Sequence, residues 1–146
     1  MTEQNREPIK WRLHLRSAPE VVFRMLATNA GRARFWAESA GEQDGYIAFV
    51  FPGGERWQGR ILVKESPHRF CVEYYGGSIT TFTLESDGAG GTDLLLIDEN
   101  VSAEYLGEVT AGWVSVLMAL KAAVDFGVDL RNHDPERTYG QGYADN

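Results

Sequence analysis

The sequence predicts an α+β domain in which a curved antiparallel sheet wraps around one long C-terminal helix. The first observation behind this fold class is a run of short strand-like segments between about residues 44 and 100, separated by short turns. Turns of this length favour hairpins, and they leave no room for the long crossover that parallel strands need. The second observation is one long apolar helical segment over about residues 103–126, which can cover one face of the sheet.

The first predicted element is a half-buried strand over residues 9–16, with the sequence "IKWRLHLR". Its apolar face consists of Ile9, Trp11, Leu13 and Leu15. Two short helices are expected next, over about 18–27 and 29–36. The first begins at "SAPE", where Ser17 and Glu20 have the spacing of a capping box and the proline suits the first helical turn.

Five further strands make up the central region. They are expected at "GYIAFVF", "RWQGRILVKE", "RFCVEYY", "SITTFTLES" and "TDLLLIDEN". Between them lie "PGGE", "SPH", "GGS" and "DGAGG", which contain the glycine and proline typical of tight turns. Together with the first strand, these segments predict a six-stranded antiparallel sheet.

The long C-terminal helix has an unusually wide apolar face. On a helical wheel its apolar residues span an arc of roughly 160°, whereas a surface helix needs an arc of roughly 100°. Gly127 is expected to end the helix. So wide a face predicts that part of the helix packs on the sheet and that another part borders a ligand cavity.

The chain is expected to form a single domain over residues 9–127, preceded by a flexible N-terminal arm over residues 1–8. Residues 128–146 carry tyrosines and charges of both signs, which predicts a C-terminal tail that packs on its own domain or on a partner subunit. The formal net charge of −7 argues against general binding to nucleic acid or to anionic membranes. No apolar run reaches the roughly 18 residues of a membrane span, so a cytoplasmic protein is expected.

Residues with catalytic or metal-binding chemistry form no recognisable pattern. His14, His68 and His133 lack metal-ligand spacing, so neither a metal nor another cofactor is expected. The single cysteine, Cys71, has no activating partner in the pattern and is interpreted as a small apolar residue. Four acidic residues are interpreted as surface carboxylates: Glu73, Glu85, Asp98 and Glu99. No catalytic residue is predicted.

Three segments resemble the SRPBCC superfamily, also called START-like and typified by the birch-pollen-allergen fold. "SAPEVVFRMLATNAGRARFW" is similar to its opening helices, "GGTDLLLIDEN" to its last strand and "GWVSVLMALKAAVDFG" to its closing helix. With "RWQGRILVKESPHRFCVEYY" between them, their order is closest to the branch of heat-shock-protein-90 ATPase activator homologues. The resemblance covers about residues 9–127. It implies the helix-grip fold, with a cavity between sheet and helix that often holds hydrophobic ligands.

The large apolar residues that this fold would bring together are the candidate ligand-binding residues. They are Trp36, Phe49, Trp57, Tyr74, Phe82, Trp113, Leu117 and Leu120. As the walls of a ligand site they would enclose a void of roughly 300 Å³ or more, and the alternative is an ordinary packed core.

The expected function is noncatalytic binding of a small hydrophobic or aromatic molecule between the sheet and the helix. The superfamily includes lipid carriers, plant hormone binders, polyketide cyclases and co-chaperone domains, so the fold does not fix one function. Two alternatives stay open: a co-chaperone-like module with a chaperone as its partner, and a polyketide-cyclase-like enzyme. A homodimer is an open alternative for the assembly.

Overall fold

A curved antiparallel sheet of seven strands forms the framework of the computed structural model, which describes residues 7–146. The strands are β1 (Ile9–Leu15), β2 (Ser39–Gln43), β3 (Tyr46–Val50), β4 (Arg56–Glu65), β5 (Arg69–Glu73), β6 (Ile79–Ser86) and β7 (Thr92–Glu99). Their order across the sheet is β1-β7-β6-β5-β4-β3-β2, so β2 to β7 form a continuous meander and β1 joins it beside β7. Of the predicted N-terminal arm, residues 1–6 lie outside the described part of the chain.

The helices of the described chain are α1 (Pro19–Ala27), α2 (Asn29–Ala33) and α3 (Leu106–Phe126). The first two connect β1 to β2, and α2 ends three residues before the predicted position. Gly127 ends α3 as expected, because its φ of 68° is in the left-handed region that glycine adopts without strain. The order of elements confirms the predicted α+β fold with a long closing helix.

The predicted number of strands is wrong by one, because the short strand β2 lies in a segment that has little strand character in the sequence. It contains only small and polar residues, "SAGEQ", and only Ala40 among them is buried. Its register comes from pairing with β3, where Ala40 lies opposite Phe49. Asp44 and Gly45 have φ of 55° and 82° in the connecting turn, which suits a two-residue hairpin.

One face of α3 packs into the core. The buried residues of this helix are Trp113, Val116, Leu117, Ala119, Leu120 and Ala123. By length and composition, the segment Ala103–Phe126 is also apolar enough to cross a membrane, since an 18-residue window within it has a mean hydropathy of 1.5. The core helix of a soluble domain passes the same test, and the buried side of this helix belongs to one cluster with the sheet. Charged residues such as Glu108 and Lys121 interrupt the segment, so no continuous apolar run marks it in the sequence.

The C-terminal segment, defined as residues 128–146, contacts the domain near the end of α2. Arg131 donates hydrogen bonds to the carbonyl oxygens of Ala33 (2.8 Å) and Ala37 (2.9 Å). A short 3₁₀ turn, Tyr139–Gln141, follows. It places Tyr139 beside α3, at the edge of the pocket described below.

Candidate ligand-binding site

Aromatic side chains fill the space between the middle of the sheet and α3. The indole of Trp36 lies at the centre, with its ring centroid 5.0 Å from that of Phe49 and 5.4 Å from that of Phe82. Trp113 from α3 lies 6.0 Å from Trp36. These four side chains are at most 2% exposed. Because protein interiors are packed to crystal-like density, this region is a closed core rather than a cavity.

A pocket of about 220 Å³ opens beside this core, between the ends of β4 and β5 and the first half of α3. Six aromatic residues line it: Phe51, Trp57, Tyr74, Tyr75, Trp113 and Tyr139. Val109, Gly112 and Val116 complete the wall on the helix side, and Glu55 and Glu108 stand at the rim. The pocket is smaller than the expected 300 Å³, so it would take a ligand of one or two rings rather than a drug-sized molecule.

The pocket contains three of the eight candidate residues, namely Trp57, Tyr74 and Trp113. The other five lie in the closed core: Trp36, Phe49, Phe82, Leu117 and Leu120. On a helical wheel Leu117 and Leu120 share a side with Trp113, but they lie one and two turns further along α3. The wheel identifies the buried side of a helix correctly and carries no information on where along that side the packing is incomplete.

Strand pairing explains how Trp57 reaches the pocket. Trp57 is the second residue of β4 and lies opposite Phe49 of β3. Its indole stacks on Phe51, with ring centroids 4.7 Å apart and an interplanar angle of 27°. Tyr74, directly after β5, meets the same indole at 5.3 Å and 79°. Two walls of the pocket are thus set by adjacent strands of the meander.

The indole N–H of Trp57 is buried, and within the described residues 7–146 it has no hydrogen-bond partner. A buried N–H group without an acceptor costs about 1–3 kcal/mol. Buried polar groups in native proteins are nearly always paired, so this donor indicates a site at which an acceptor is supplied from elsewhere. The ring of Trp57 lines the pocket, whereas its N–H is closed to solvent, so a ligand in the pocket reaches this donor only when the side chains around the indole shift.

Tyr74 links the pocket to the core. Its hydroxyl oxygen accepts a hydrogen bond of 3.0 Å from the indole N–H of Trp36. Burial raises the pKa of Tyr74, and the hydrogen bond from Trp36 only partly opposes this shift. The phenol is therefore neutral, and its oxygen is held in place while its ring forms a pocket wall.

The indole of Trp113 is held by a hydrogen bond to a buried carboxyl group. Its indole N–H donates to Oδ2 of Asp98 (2.8 Å), and the hydroxyl of Thr80 donates to Oδ1 (2.8 Å). Burial raises the pKa of Asp98, partly offset by these hydrogen bonds. Asp98 is 0% exposed, so its interpretation as a surface carboxylate is wrong. Thr80, Phe82 and Leu84 alternate on the buried side of β6, and Asp98 lies opposite Thr80 in the neighbouring strand.

Several pocket residues were missed by sequence reasoning. Tyr139 comes from the C-terminal segment, and its only signal was the aromatic composition of that tail. Glu55 and Glu108 are exposed residues without a distinguishing pattern. Across residues 7–146, no group of three or more His, Cys, Asp or Glu side chains is placed to hold a metal ion.

No family model and no curated protein matches the chain. Solved structures do match it. The Aha1 dimer from Colwellia psychrerythraea is 20% identical, with a TM-score of 0.73 over 82% of this chain and 97% of that one. The protein SSP2350 from Staphylococcus saprophyticus is 21% identical, with a TM-score of 0.73 over 85% of this chain and 96% of that one. CalU16 from Micromonospora echinospora is 26% identical, with a TM-score of 0.64 over 79% and 72%.

The predicted resemblance is thereby confirmed at the level of the fold. The likenesses to SSP2350 and to the Aha1 dimer extend over 85% and 82% of this chain. The chain has the helix-grip fold of SRPBCC-type proteins.

Proposed function

We propose that the protein binds a small ring-bearing molecule in the pocket formed by Trp57, Tyr74 and Trp113. The observation that carries this proposal is the buried indole N–H of Trp57, which has no acceptor among the described residues although its ring lines an apolar pocket. A ligand with a ring would pack against these aromatic walls, and a hydrogen-bond acceptor on it would pair with the donor once the side chains around the indole shift. The hydrogen bond favours such a ligand by about 0.5–1.5 kcal/mol over one without an acceptor.

The aromatic walls favour a flat ring over a flexible chain. Trp57 and Tyr74 meet at 79°, and Tyr74 and Trp113 at 35°, so their rings enclose a corner. Pairs of aromatic rings contribute about 0.5–1.5 kcal/mol beyond the area that they bury.

Binding without catalysis is the better supported form of the proposal. Among residues 7–146, the one fully buried carboxyl group is that of Asp98, and each of its oxygens already accepts a hydrogen bond, from Thr80 and from Trp113. It lies behind the indole of Trp113 and does not line the pocket. The likeness to the Aha1 dimer concerns the fold, and it brings no chaperone partner to this chain.

A pocket-filling variant tests the proposal. Gly112 borders the pocket within α3, and a Cβ added there meets no heavy atom within 4 Å. The Cβ of Gly112→Leu therefore has free space, and the rest of the side chain would take up part of the pocket; leucine also favours the helix over glycine by roughly 0.5–1 kcal/mol. The matched control is Gly107→Leu, at a helical glycine with equally open surroundings that does not line the pocket.

The probe is 3-tert-butylphenol, which has one ring and one hydroxyl acceptor, followed by NMR of the tryptophan indole N–H signals. We expect it to shift the Trp57 signal in the wild type and in Gly107→Leu, and to leave Gly112→Leu unchanged. Trp57→Phe keeps a ring and removes the donor, so its affinity should fall about threefold to tenfold. Binding that survives Gly112→Leu, or a probe that shifts no signal of Trp57 or Trp113, would exclude this pocket as the site.

A further inference from the structure

The rim of the pocket is acidic. Glu55 lies just before β4 and Glu108 lies in the first turn of α3, and both are exposed. Among the described residues that line the pocket, none is Lys, Arg or His. From this lining we infer that the ligand is an organic cation, with a ring held between Trp57 and Trp113 and an ammonium group at the rim. The inference rests on the proposed function and names its class of ligand.

Aromatic side chains at the rim suit a cation as well. Tyr75 and Tyr139 are 37% and 41% exposed, so their rings flank the opening while the tryptophans lie deeper. The ring of Tyr75 meets Trp57 at 4.8 Å and 60°. An ammonium group against the face of such a ring gains about 0.5–1 kcal/mol at exposed sites and about 2 kcal/mol when desolvated. Alkylated ammonium groups in other proteins are held in this way by corners of aromatic rings.

A second groove continues from the pocket between α3 and the residues after Tyr139. It has a volume of about 720 Å³ and shares Glu55, Glu108, Gly112 and Tyr139 with the pocket. The two carboxylates therefore stand where the pocket meets this groove. A charged group is placed there with access to water, which avoids the large desolvation penalty of a fully buried ion.

Two positive features near the rim are each compensated. The N-terminus of α3 carries the partial positive charge of a helix end, and Glu108 in its first turn offsets it. Arg131 acts on the titration of Tyr139, but its guanidinium pairs with Asp129 at 3.0 Å. With a net charge of −7 on the whole chain, the field at the opening favours cations over anions.

An isosteric pair of probes separates charge from shape. (3-Hydroxyphenyl)trimethylammonium and 3-tert-butylphenol share the ring, the hydroxyl group and the shape, and they differ by the positive charge. 3-Hydroxybenzoate provides an anion. Each is titrated against the full chain at slightly acidic pH, where the phenol groups stay protonated, with the indole N–H signals as the readout. The variant is Glu55→Gln/Glu108→Gln, and the control is Glu20→Gln/Glu65→Gln, which changes the net charge equally at exposed positions away from the pocket.

We expect the cation to bind the wild type about tenfold more tightly than 3-tert-butylphenol, and the anion to bind most weakly. Glu55→Gln/Glu108→Gln should remove most of this preference and leave the affinity for 3-tert-butylphenol within about twofold, whereas the control double variant should keep the preference. Equal binding of cation and neutral probe, or a preference that survives the Glu55→Gln/Glu108→Gln change, would overturn the inference and leave the proposed pocket intact. If none of the probes shifts the Trp57 or Trp113 signals, both the pocket and its charge preference are refuted.

Discussion

At the level of single residues, Asp98 shows how a buried charge-bearing group can fix a pocket wall. Its carboxyl group is 0% exposed and accepts hydrogen bonds from Thr80 and Trp113, each at 2.8 Å. A carboxylate in a core is unfavourable unless such donors surround it. The bond to Trp113 fixes the indole that separates the filled core from the open pocket. Asp98 thus positions a wall of the pocket through its hydrogen bond with Trp113.

Replacing Asp98 by asparagine should change how stability depends on pH. Burial raises the pKa of Asp98, so the folded protein holds this proton more tightly than the unfolded chain does. Its contribution to the free energy of unfolding is therefore greatest below the unfolded pKa of about 4, and it declines as pH rises through the folded pKa. Asp98→Asn lacks this decline, and its amide oxygen can replace only part of the acceptor capacity, at a loss of about 1–3 kcal/mol under acidic conditions.

Urea denaturation of both proteins across the acidic and neutral range measures this effect. The stability deficit of Asp98→Asn should be largest at low pH and should shrink as pH rises. Thr80→Val is the comparison: it keeps the titrating group and removes a hydrogen bond that lowers the pKa of Asp98, so its stability deficit should grow as pH rises. A deficit for Asp98→Asn that stays constant over the whole range would mean that Asp98 titrates normally in the folded protein.

At the level of elements, the edge strand β2 is held by side chains from the preceding helix. Arg32 of α2 is 0% exposed and donates to the carbonyl oxygens of Ala40 (2.9 Å) and Leu26 (3.0 Å). It also donates to Oδ1 of Asn29 (2.7 Å), and the same oxygen accepts the backbone N–H of Glu42 at 2.9 Å. These contacts join α1, α2 and β2. Because they come from outside the strand, the local pattern of "SAGEQ" could not indicate them.

The C-terminal segment is held by a second polar cluster, centred on His133. One ring nitrogen of His133 is hydrogen-bonded to Glu38 and the other to Asp129, the latter at 2.7 Å. These two carboxylates raise the pKa of His133, and the nearby charge of Arg131 opposes the shift. Arg131 is itself hydrogen-bonded to Asp129 and to the end of α2. The cluster connects the start of the segment to the domain.

We expect the C-terminal segment to loosen as pH rises. A raised histidine pKa stabilises the folded segment fully below the unfolded value of about 6.5, and this contribution is lost as pH rises through the folded value. Amide exchange over residues 128–146, corrected for its intrinsic pH dependence, should show protection that falls with increasing pH. His133→Gln should abolish the fall, whereas His68→Gln, at an exposed turn, should retain it. Protection that is independent of pH in the wild type would contradict this role of His133.

At the level of the whole molecule, sequence reasoning could predict the topology more fully than the site. Alternation in β1 and the width of the apolar face of α3 are local patterns, and both elements were confirmed at nearly the predicted positions. The meander followed from the short turns between strands. The depth of the pocket depends on which side chains fill the space between the sheet and α3. Trp36, Phe49 and Phe82 fill this space around Trp113. Such packing involves residues that are far apart in sequence, so the periodicity of apolar residues within one helix or strand cannot predict it.

The C-terminal segment is a second case in which distance along the chain limits prediction. Tyr139 reaches the pocket from a segment that Arg131 and His133 attach to α2 and to the residues that follow it. The sequence of the segment has no periodicity, and its mixed charges allow contact with its own domain or with a second subunit. The hydrogen bonds from Arg131 to Ala33 and Ala37 lie within one chain. Docking on the same domain and bridging of two subunits differ in how stability depends on protein concentration, and this difference can be measured.

Deleting residues 128–146 after Gly127 should destabilise the domain in a way that does not depend on protein concentration. The truncated chain loses the hydrogen bonds of Arg131 to Ala33 and Ala37, together with the wall that Tyr139 contributes to the pocket. A loss of roughly 2 kcal/mol would lower Tm by about 6 °C in a domain of this size. Calorimetry over a tenfold range of concentration measures the shift, and Arg131→Gln in the full chain should move Tm in the same direction by less.

Because folding within one chain is independent of concentration whereas subunit association is not, a Tm difference that grows with concentration would show that the segment bridges two subunits instead. An unchanged Tm would show that the segment contributes nothing to the stability of the domain.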